Sequence, residues 1–360
     1  MLIYVLYFIF LAILAIQYQF TPFKSNILLF VIVILLAFMA GFQDTSVSKD
    51  YLDYQYLFDN IHEMTGDGFY YLLSYEPGFA GIVIVFRKLF EADYGIAIMF
   101  FYALASLSLK VFTINRFSIN PYLTLLFYFS YFFLLHEMTQ IRISLAAGIF
   151  LISLIPFLKE KRITFAALIL LATCFHYSAI VYLIILLSDN NKFNKNLYSV
   201  VLVLSLLLGV IKLPVLYLLG NFDASNISTK LNTYIEISQN GIVAVNVFNS
   251  LNILNILCCF YFIFAVKQEI LTQDKRLMLF LKCNILSIFL LSFFAGAPAF
   301  AMRFSQLFSI AQIFLFTYLL RYLPFKKLNV FILVLVAGVF FYVMEIYGGL
   351  LNPFKIITFK

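Results

Sequence analysis

The sequence predicts an all-α polytopic membrane protein with about twelve transmembrane helices. The composition is 64% hydrophobic and only 11% charged. The mean hydropathy of +1.01 over 360 residues excludes an ordinary soluble globular domain. A bilayer core about 30 Å thick needs roughly 20 apolar residues per helix, and such stretches recur along the chain. We therefore expect a single integral membrane domain covering residues 1–360.

Ten apolar stretches are predicted to cross the membrane. In chain order they are Leu2–Ile16, Ile27–Phe42, Tyr94–Phe112, Pro121–Leu135, Arg142–Leu158, Leu197–Leu219, Val247–Val266, Leu277–Ala295, Arg303–Leu320 and Leu328–Tyr347. Two further apolar segments are less regular. Ile163–Leu187 is interrupted around His176, and Phe79–Phe90 carries two basic residues near its end.

The positions of the basic loops predict how these segments cross the membrane. Short loops rich in Lys and Arg stay in the cytoplasm, and three such loops are Lys159–Arg162, Lys267–Arg276 and Arg321–Lys327. All three are cytoplasmic only if Ile163–Leu187 crosses twice, or dips in and returns. Phe79–Phe90 is then a re-entrant or amphipathic helix at the outer surface.

Both termini and two long loops, residues 43–93 and 220–246, are outside in this topology. The formal net charge of +7 then reflects topology and predicts no nucleic-acid partner.

The first outer loop interleaves carboxylates with tyrosines, most densely at Asp50, Asp53 and Tyr54. Carboxylates accept hydrogen bonds from sugar hydroxyls, and tyrosine rings stack on the C–H faces of sugars. Positions three and four apart share a helix face, so these residues could bind sugar together. The alternative is a solvated acidic loop with tyrosines at the membrane interface.

Glu76 is followed by Pro77 and Gly78. Proline fits the first turn of a helix, where its missing N–H costs nothing. Glu76 would then lie at the helix start, where the dipole stabilises a carboxylate. A functional carboxylate and a simple helix start are both consistent with this pattern.

Arg142 and Arg303 each begin a predicted outer helix. A cation there opposes the helix dipole and the loop-charge rule, so an anionic partner is expected. Guanidinium groups bind phosphate oxygens bidentately, which indicates a diphosphate clamp. For Arg142 the alternative is snorkelling to outer headgroups.

His176 lies within apolar sequence, where an ionisable side chain is a functional candidate. Imidazole can act as a general base near neutral pH. The alternative is a histidine whose nitrogen bonds to a helix carbonyl. The sequence has no P-loop and no ligand cluster that predicts a metal or a cofactor.

Taken in order, these motifs resemble the EpsG/Wzy family of bacterial polysaccharide polymerases. The matching pieces are Lys24, Ala40-Gly41-Phe42, Asp50-Tyr51-Leu52-Asp53-Tyr54, Glu76-Pro77-Gly78-Phe79, Gln140-Ile141-Arg142 with Ala146, Phe175-His176-Tyr177-Ser178-Ala179, and Arg303. The chain departs from its relatives at Gln43, where they typically carry Arg, and at Ile143, where they typically carry Gln.

The resemblance implies a metal-independent membrane glycosyltransferase of the bacterial plasma (inner) membrane with its active site facing outward. Its substrates would be oligosaccharide repeat units on undecaprenyl diphosphate, and a chain-length regulator protein is a further partner that it allows. The implied roles are diphosphate binding by Arg142 and Arg303, catalysis by His176 or Glu76, and sugar binding by Asp50, Asp53, Tyr54 and Gln140.

Three other functions share parts of this pattern. An O-antigen ligase uses the same donor but usually carries a large late outer domain, whereas the loop 220–246 is short. A lipid-linked oligosaccharide flippase or a secondary transporter would place charges near the bilayer midplane. Here the landmarks other than His176 are predicted near the outer face, which favours the polymerase.

Overall fold

The computed structural model describes residues 1–23, 25–64, 75–90, 93–213, 215 and 244–357, which are mostly helical. These ranges contain no strand, and one isolated antiparallel bridge joins Gln43 to Ile356. Much of the predicted outer loop 220–246, together with residues 65–74 and 91–92 of the first loop, lies outside the described residues. The prediction of an all-α membrane protein is confirmed.

The chain divides into two compact units, which are described separately. The first comprises Met1–Leu183 and Phe316–Lys360, and the second Ile184–Leu315. The helices that precede the boundary are α1 (Leu2–Phe20), α2 (Asn26–Gly41), α3 (Tyr51–Met64), α4 (Pro77–Phe90), α5 (Tyr94–Phe117), α6 (Pro121–Phe127), α7 (Ile141–Leu158) and α8 (Arg162–Phe175). A π-helix, Tyr128–Glu137, continues α6, and a 3₁₀ helix, Tyr177–Leu187, follows α8.

The second unit is helical as well. Its helices are α9 (Lys195–Ile211), α10 (Ser250–Ala265), α11 (Gln268–Gln273), α12 (Lys275–Phe293) and α13 (Pro298–Ser309). The chain then returns to the first unit through α14 (Gln312–Tyr322), α15 (Lys326–Phe341) and a short π-helix, Tyr342–Tyr347.

Five helices among the described residues are long and apolar enough to cross a membrane. They are Leu2–Phe20, Tyr94–Phe117, Ile141–Leu158, Lys275–Phe293 and Lys327–Tyr347. The bent pair α13 and α14 raises the number to six if it forms one span. The predicted count of about twelve crossings therefore stays a prediction.

Three sequence expectations about helix boundaries can be compared directly with the structure. The predicted outer helix is present as α4, and the apolar segment after Arg162 breaks at His176, whose backbone is extended. The predicted span Arg303–Leu320 is not one straight helix, because α13 and α14 are bent by 47° at the break between them, and whether the pair crosses the membrane stays a prediction. Helix α13 begins at Pro298 in its first turn, the position that proline favours.

Helix α5 is central to the first unit, where it contacts α2, α4 and α7. Gly41 allows the closest of these approaches, since a Cβ atom there would lie 2.6 Å from the Cα atom of Phe100. Helix α4 packs in turn against α3, α5 and α8. The starts of α4 and α7 and the end of α8 thereby come together, and these segments carry the predicted site residues.

Two contacts in the first unit join segments that the predicted topology places on the same side of the membrane. At one end, the Asp44 amide donates to the Lys355 carbonyl at 2.9 Å, next to the bridge of Gln43. At the other, Asn120 Nδ2 donates to the Ala15 carbonyl at 2.9 Å. Which side of a membrane each end faces stays a prediction.

Candidate active site

Glu76 lies immediately before α4, and Pro77 sets the position at which this helix begins. Pro77 occupies the first position of α4, and the Glu76 carbonyl accepts a hydrogen bond from the Ala80 amide at 2.9 Å. The side chain of Glu76 is buried, with 8% of its surface exposed. The local sequence thus places a carboxylate at a helix N-terminus, as predicted.

Arg142 lies in the first turn of α7, as the sequence predicted, and its partner is Glu76. Arg142 Nη1 donates to Glu76 Oε2 at 2.7 Å, and 27% of the arginine side chain is exposed. The anionic partner expected for Arg142 at its helix start is therefore a carboxylate of the same chain. The Nε atom of Arg142 is buried and makes no hydrogen bond in the structure.

Two aromatic rings pack against the Arg142 guanidinium. Its central carbon lies 5.7 Å from the Tyr54 ring centroid and 5.2 Å from the Phe79 ring centroid, a distance range typical of cation–π contacts. Both rings are buried. Tyr54 therefore supports Arg142, and a sugar contact through the same ring face would require the arginine to move.

His176 reaches the same carboxylate from the end of α8. Its amide donates to the Ala172 carbonyl at 3.0 Å and ends the helix. The imidazole Nδ1 lies 3.4 Å from Glu76 Oε1, close enough for an electrostatic interaction but without hydrogen-bond geometry. Both ring nitrogens are buried and make no hydrogen bond in the structure. One carboxylate thus bridges an arginine and a histidine.

Gly78 permits the close approach of α4 and α8. A Cβ atom at this position would lie 2.9 Å from both the Cys174 carbonyl oxygen and the Phe175 Cε1 atom. Any larger residue would push the start of α4 away from the end of α8. Gly78 therefore sets the spacing between Glu76 and His176.

The environment of Glu76 favours its charged form. Burial by itself raises the pKa of a carboxyl group, but the neighbouring His176 and the positive charge of Arg142 outweigh it and lower the pKa of Glu76 to about 2. Glu76 is therefore ionised throughout the physiological pH range.

The predicted sugar-binding residues other than Tyr54 differ in how far they are buried. Asp50 precedes α3 and is half-buried, and burial raises its pKa, to which the charge of Asp53 adds. Asp53 is exposed, and Gln140 is half-buried at the N-cap position of α7. Their predicted contacts with sugar stay predictions.

Arg303 lies in the middle of α13 in the second unit and is exposed. The expectation that it opens a helix is wrong, because α13 begins five residues earlier at Pro298. Its predicted role in diphosphate binding stays a prediction.

Sequence reasoning missed a second ionic cluster in the first unit. Lys110 and Glu137 are fully buried, and Lys110 Nζ lies 2.6 Å from Glu137 Oε1. Ser106 and Ser144 both donate to the same carboxylate oxygen, at 3.0 and 2.7 Å. A lysine within the apolar helix α5 was a visible signal, although its partner is known only from the fold.

Glu137 and Gln43 together hold the turn that precedes Arg142. Glu137 ends the π-helix and is fixed by its ion pair with Lys110. Gln43 is fully buried, and its Nε2 donates to the Met138 carbonyl at 2.9 Å. Gln43, one of the two departures from the expected motif, therefore has a structural contact in this chain.

Comparison with known proteins identifies the family. A model of the EpsG family matches residues 26–355. This range includes the bridge between Arg142 and His176 through Glu76, as well as Arg303. No match was found among curated proteins or among solved structures. The matched range is nearly the whole chain, and the chain therefore belongs to the EpsG family.

Proposed function

We propose that the chain is a polysaccharide polymerase of the bacterial plasma membrane, acting on its outer face. It transfers a growing glycan from undecaprenyl diphosphate to a sugar hydroxyl of the next lipid-linked repeat unit. Membership of the EpsG family supports a polymerase-type role in polysaccharide biosynthesis. The observation that carries the chemistry is the Glu76 carboxylate between Arg142 and His176.

Arg142 is the proposed ligand of the diphosphate. As the bond between the anomeric carbon and the phosphate oxygen breaks, its electron pair stays on the diphosphate, which becomes more negative. A fixed guanidinium stabilises that developing charge through charge-assisted hydrogen bonds. The aromatic support from Tyr54 and Phe79 limits movement of the guanidinium.

His176 is the proposed general base. The acceptor hydroxyl oxygen forms the new bond to the anomeric carbon, and its proton passes to the imidazole. Nδ1 faces Glu76, so Nε2 is the nitrogen that would take the proton, and because it is buried the acceptor must displace neighbouring side chains to reach it. Glu76 is a poor base because its pKa is about 2. Its proposed role is therefore to orient His176 and to stabilise the imidazolium.

In the absence of substrate, Glu76 forms an ion pair with Arg142. A diphosphate that binds Arg142 must replace or share the 2.7 Å contact with the carboxylate. The displaced carboxylate would then interact more strongly with His176, which lies 3.4 Å away. Binding of the leaving group and activation of the base are thus coupled through one side chain.

The test is glycan size in a strain that lacks this protein and is complemented with variants at matched membrane levels. Arg142→Ala should leave single repeat units on the mature surface carrier, because export continues while polymerisation stops. Arg162→Ala, a cation at the start of α8 and far from its His176 end, is the matched control and should give long chains. Long chains with Arg142→Ala would refute the proposal.

The same experiment tests the flippase function. If lipid-linked units accumulate on the cytoplasmic face in the strain that lacks the protein, transport across the membrane has failed. That outcome would replace the polymerase proposal. If long chains form on undecaprenyl diphosphate but none reaches the mature surface carrier, an O-antigen ligase fits instead.

A further inference from the structure

A cavity lies in the first unit, beside the candidate active site. It has a volume of about 200 Å³. Its walls are formed by one face of α3, by the start of α5 and by a C-terminal segment. The polar and aromatic residues that line it include Tyr51, Gln55, Asp59, Asp93 and Tyr94.

Helix periodicity explains why α3 contributes to two sites. Tyr51, Gln55 and Asp59 are spaced four apart and share the face that lines this cavity. Tyr54 lies on a neighbouring face, under the Arg142 guanidinium. The acidic and aromatic pattern of this loop is therefore divided between a face that supports the cation and a face that lines the cavity.

One aromatic residue connects the cavity to the candidate active site. Phe58 lines the cavity, and its ring centroid lies 6.0 Å from that of Phe79. Phe79 in turn lies 5.2 Å from the Arg142 guanidinium carbon. The Phe79 ring therefore lies between Phe58 in the cavity wall and Arg142, which is proposed to bind the diphosphate.

The polar groups of the cavity are held in place by their neighbours. The Tyr94 hydroxyl donates to the Asp59 carboxylate. Arg87 donates to the main-chain carbonyls of Phe58 and Asp59, at 3.0 and 2.6 Å, and lies over the Tyr94 ring. The Asp93 side chain makes no capping hydrogen bond at the start of α5. Asp59 and Tyr94 are therefore held in place relative to each other.

The chemistry of this lining selects a class of ligand. Carboxylates accept hydrogen bonds from hydroxyl groups, and aromatic rings cover C–H surfaces. None of the described residues that line the cavity is basic, and the nearby Arg87 is engaged with main-chain carbonyls. Asp59 and Asp93 therefore disfavour an anionic group in the cavity. A neutral sugar satisfies both features, whereas a phosphate or a uronic acid does not.

We propose that this cavity is a sugar subsite that holds a neutral sugar of a lipid-linked glycan next to Arg142. The inference rests on the proposed function and adds the residues that choose the sugar, namely Gln55, Asp59 and Tyr94. It differs from the sugar contacts expected from the sequence, because it uses the next face of α3.

The test uses the purified full chain in lipid nanodiscs and saturation-transfer NMR with methyl glycosides of glucose, galactose, N-acetylglucosamine and glucuronic acid. At least one neutral glycoside should bind, and the glucuronide should bind less well than the glucoside. Gln55→Ala and Tyr94→Phe should each weaken neutral-glycoside binding by about tenfold, as expected for a lost hydrogen bond to a charged or partly buried group. Tyr56→Ala, on an exposed position of α3, is the matched control and should bind as the wild type does.

Binding of inorganic pyrophosphate, measured on the same samples, separates the two proposals. Pyrophosphate should bind equally to wild type, Gln55→Ala and Tyr94→Phe, because Arg142 is intact in all three. Glycoside binding that is absent, unchanged in both variants or equally tight for the glucuronide would overturn the subsite. Failure of pyrophosphate to bind the wild type would instead contradict the proposed role of Arg142.

Discussion

Replacing Glu76 with Gln should change diphosphate binding and turnover in opposite directions. The substitution keeps the shape of the side chain and removes the charge that holds Arg142. The pKa of Glu76 falls from 4.5 to about 2 in the folded protein, which corresponds to about 3 kcal/mol of interaction that favours the ionised carboxylate. Part of this stabilisation opposes any anion that must displace Glu76 from Arg142.

The expected magnitude follows from that competition. If the whole interaction were lost on displacement, Glu76→Gln would bind pyrophosphate about a hundredfold more tightly. His176 supplies part of this interaction and is not displaced, and solvent screening at the partly exposed Arg142 reduces the effect further, so we expect a gain of about tenfold. Turnover should fall by about a hundredfold, since His176 loses the carboxylate that orients it as a base.

The assay is isothermal titration calorimetry of pyrophosphate into nanodiscs in phosphate-free buffer near pH 7.5. Glu269→Gln makes the same chemical change at an exposed position of α11 and should leave binding unchanged. In an Arg142→Ala background, Glu76→Gln should have no further effect, because the two residues act as a pair. Pyrophosphate binding to Glu76→Gln that is equal to or weaker than that of the wild type would refute the competition.

Further predictions concern the pH dependence of stability, the Lys110–Glu137 ion pair and the close approach of α4 to α8. Because the folded pKa of Glu76 is lowered, its stabilisation is present above about pH 4.5 and is lost toward pH 2; the difference in thermal unfolding between wild type and Glu76→Gln should therefore shrink as the pH falls from 4.5 toward 2. Lys110→Met should destabilise the protein by about 3–5 kcal/mol in chemical unfolding, and Lys110→Met/Glu137→Leu should recover most of it; no recovery would contradict a self-contained ion pair. Gly78→Ala should lower polymerisation by about tenfold by separating α4 from α8. Gly81→Ala, with open space around its Cβ position, should not, and equal effects of the two would contradict the close approach.

The candidate site was predictable where the sequence carries a local signal. Pro77 marks the start of α4 and therefore the place of Glu76, and His176 interrupts an apolar run where α8 ends. Arg142 stands at a helix start that disfavours a cation, and its partner in the structure is the Glu76 carboxylate, whereas the diphosphate stays a prediction. That this partner is Glu76 could not be predicted, because the pairing depends on the packing of α4 and α7 against α5.

Two features show where the sequence reasoning failed. Arg303 was placed at a helix start, although Pro298 carries the same first-turn signal that was used correctly at Pro77. The Lys110–Glu137 pair was missed because its members are 27 positions apart and lie in apolar stretches. A buried lysine can be noticed in a sequence, but its partner is chosen by the contact between α5 and the π-helix.

The most direct test of the central claim, that Arg142 holds the diphosphate leaving group, is polymerisation by the purified chain. Lipid-linked repeat units isolated from the strain without this protein would be incubated with nanodiscs, and polymer and released undecaprenyl diphosphate would be measured together. We expect the wild type to release one undecaprenyl diphosphate for each new glycosidic bond and Arg142→Ala to form neither product. Polymer formation by Arg142→Ala at the wild-type rate would contradict the account.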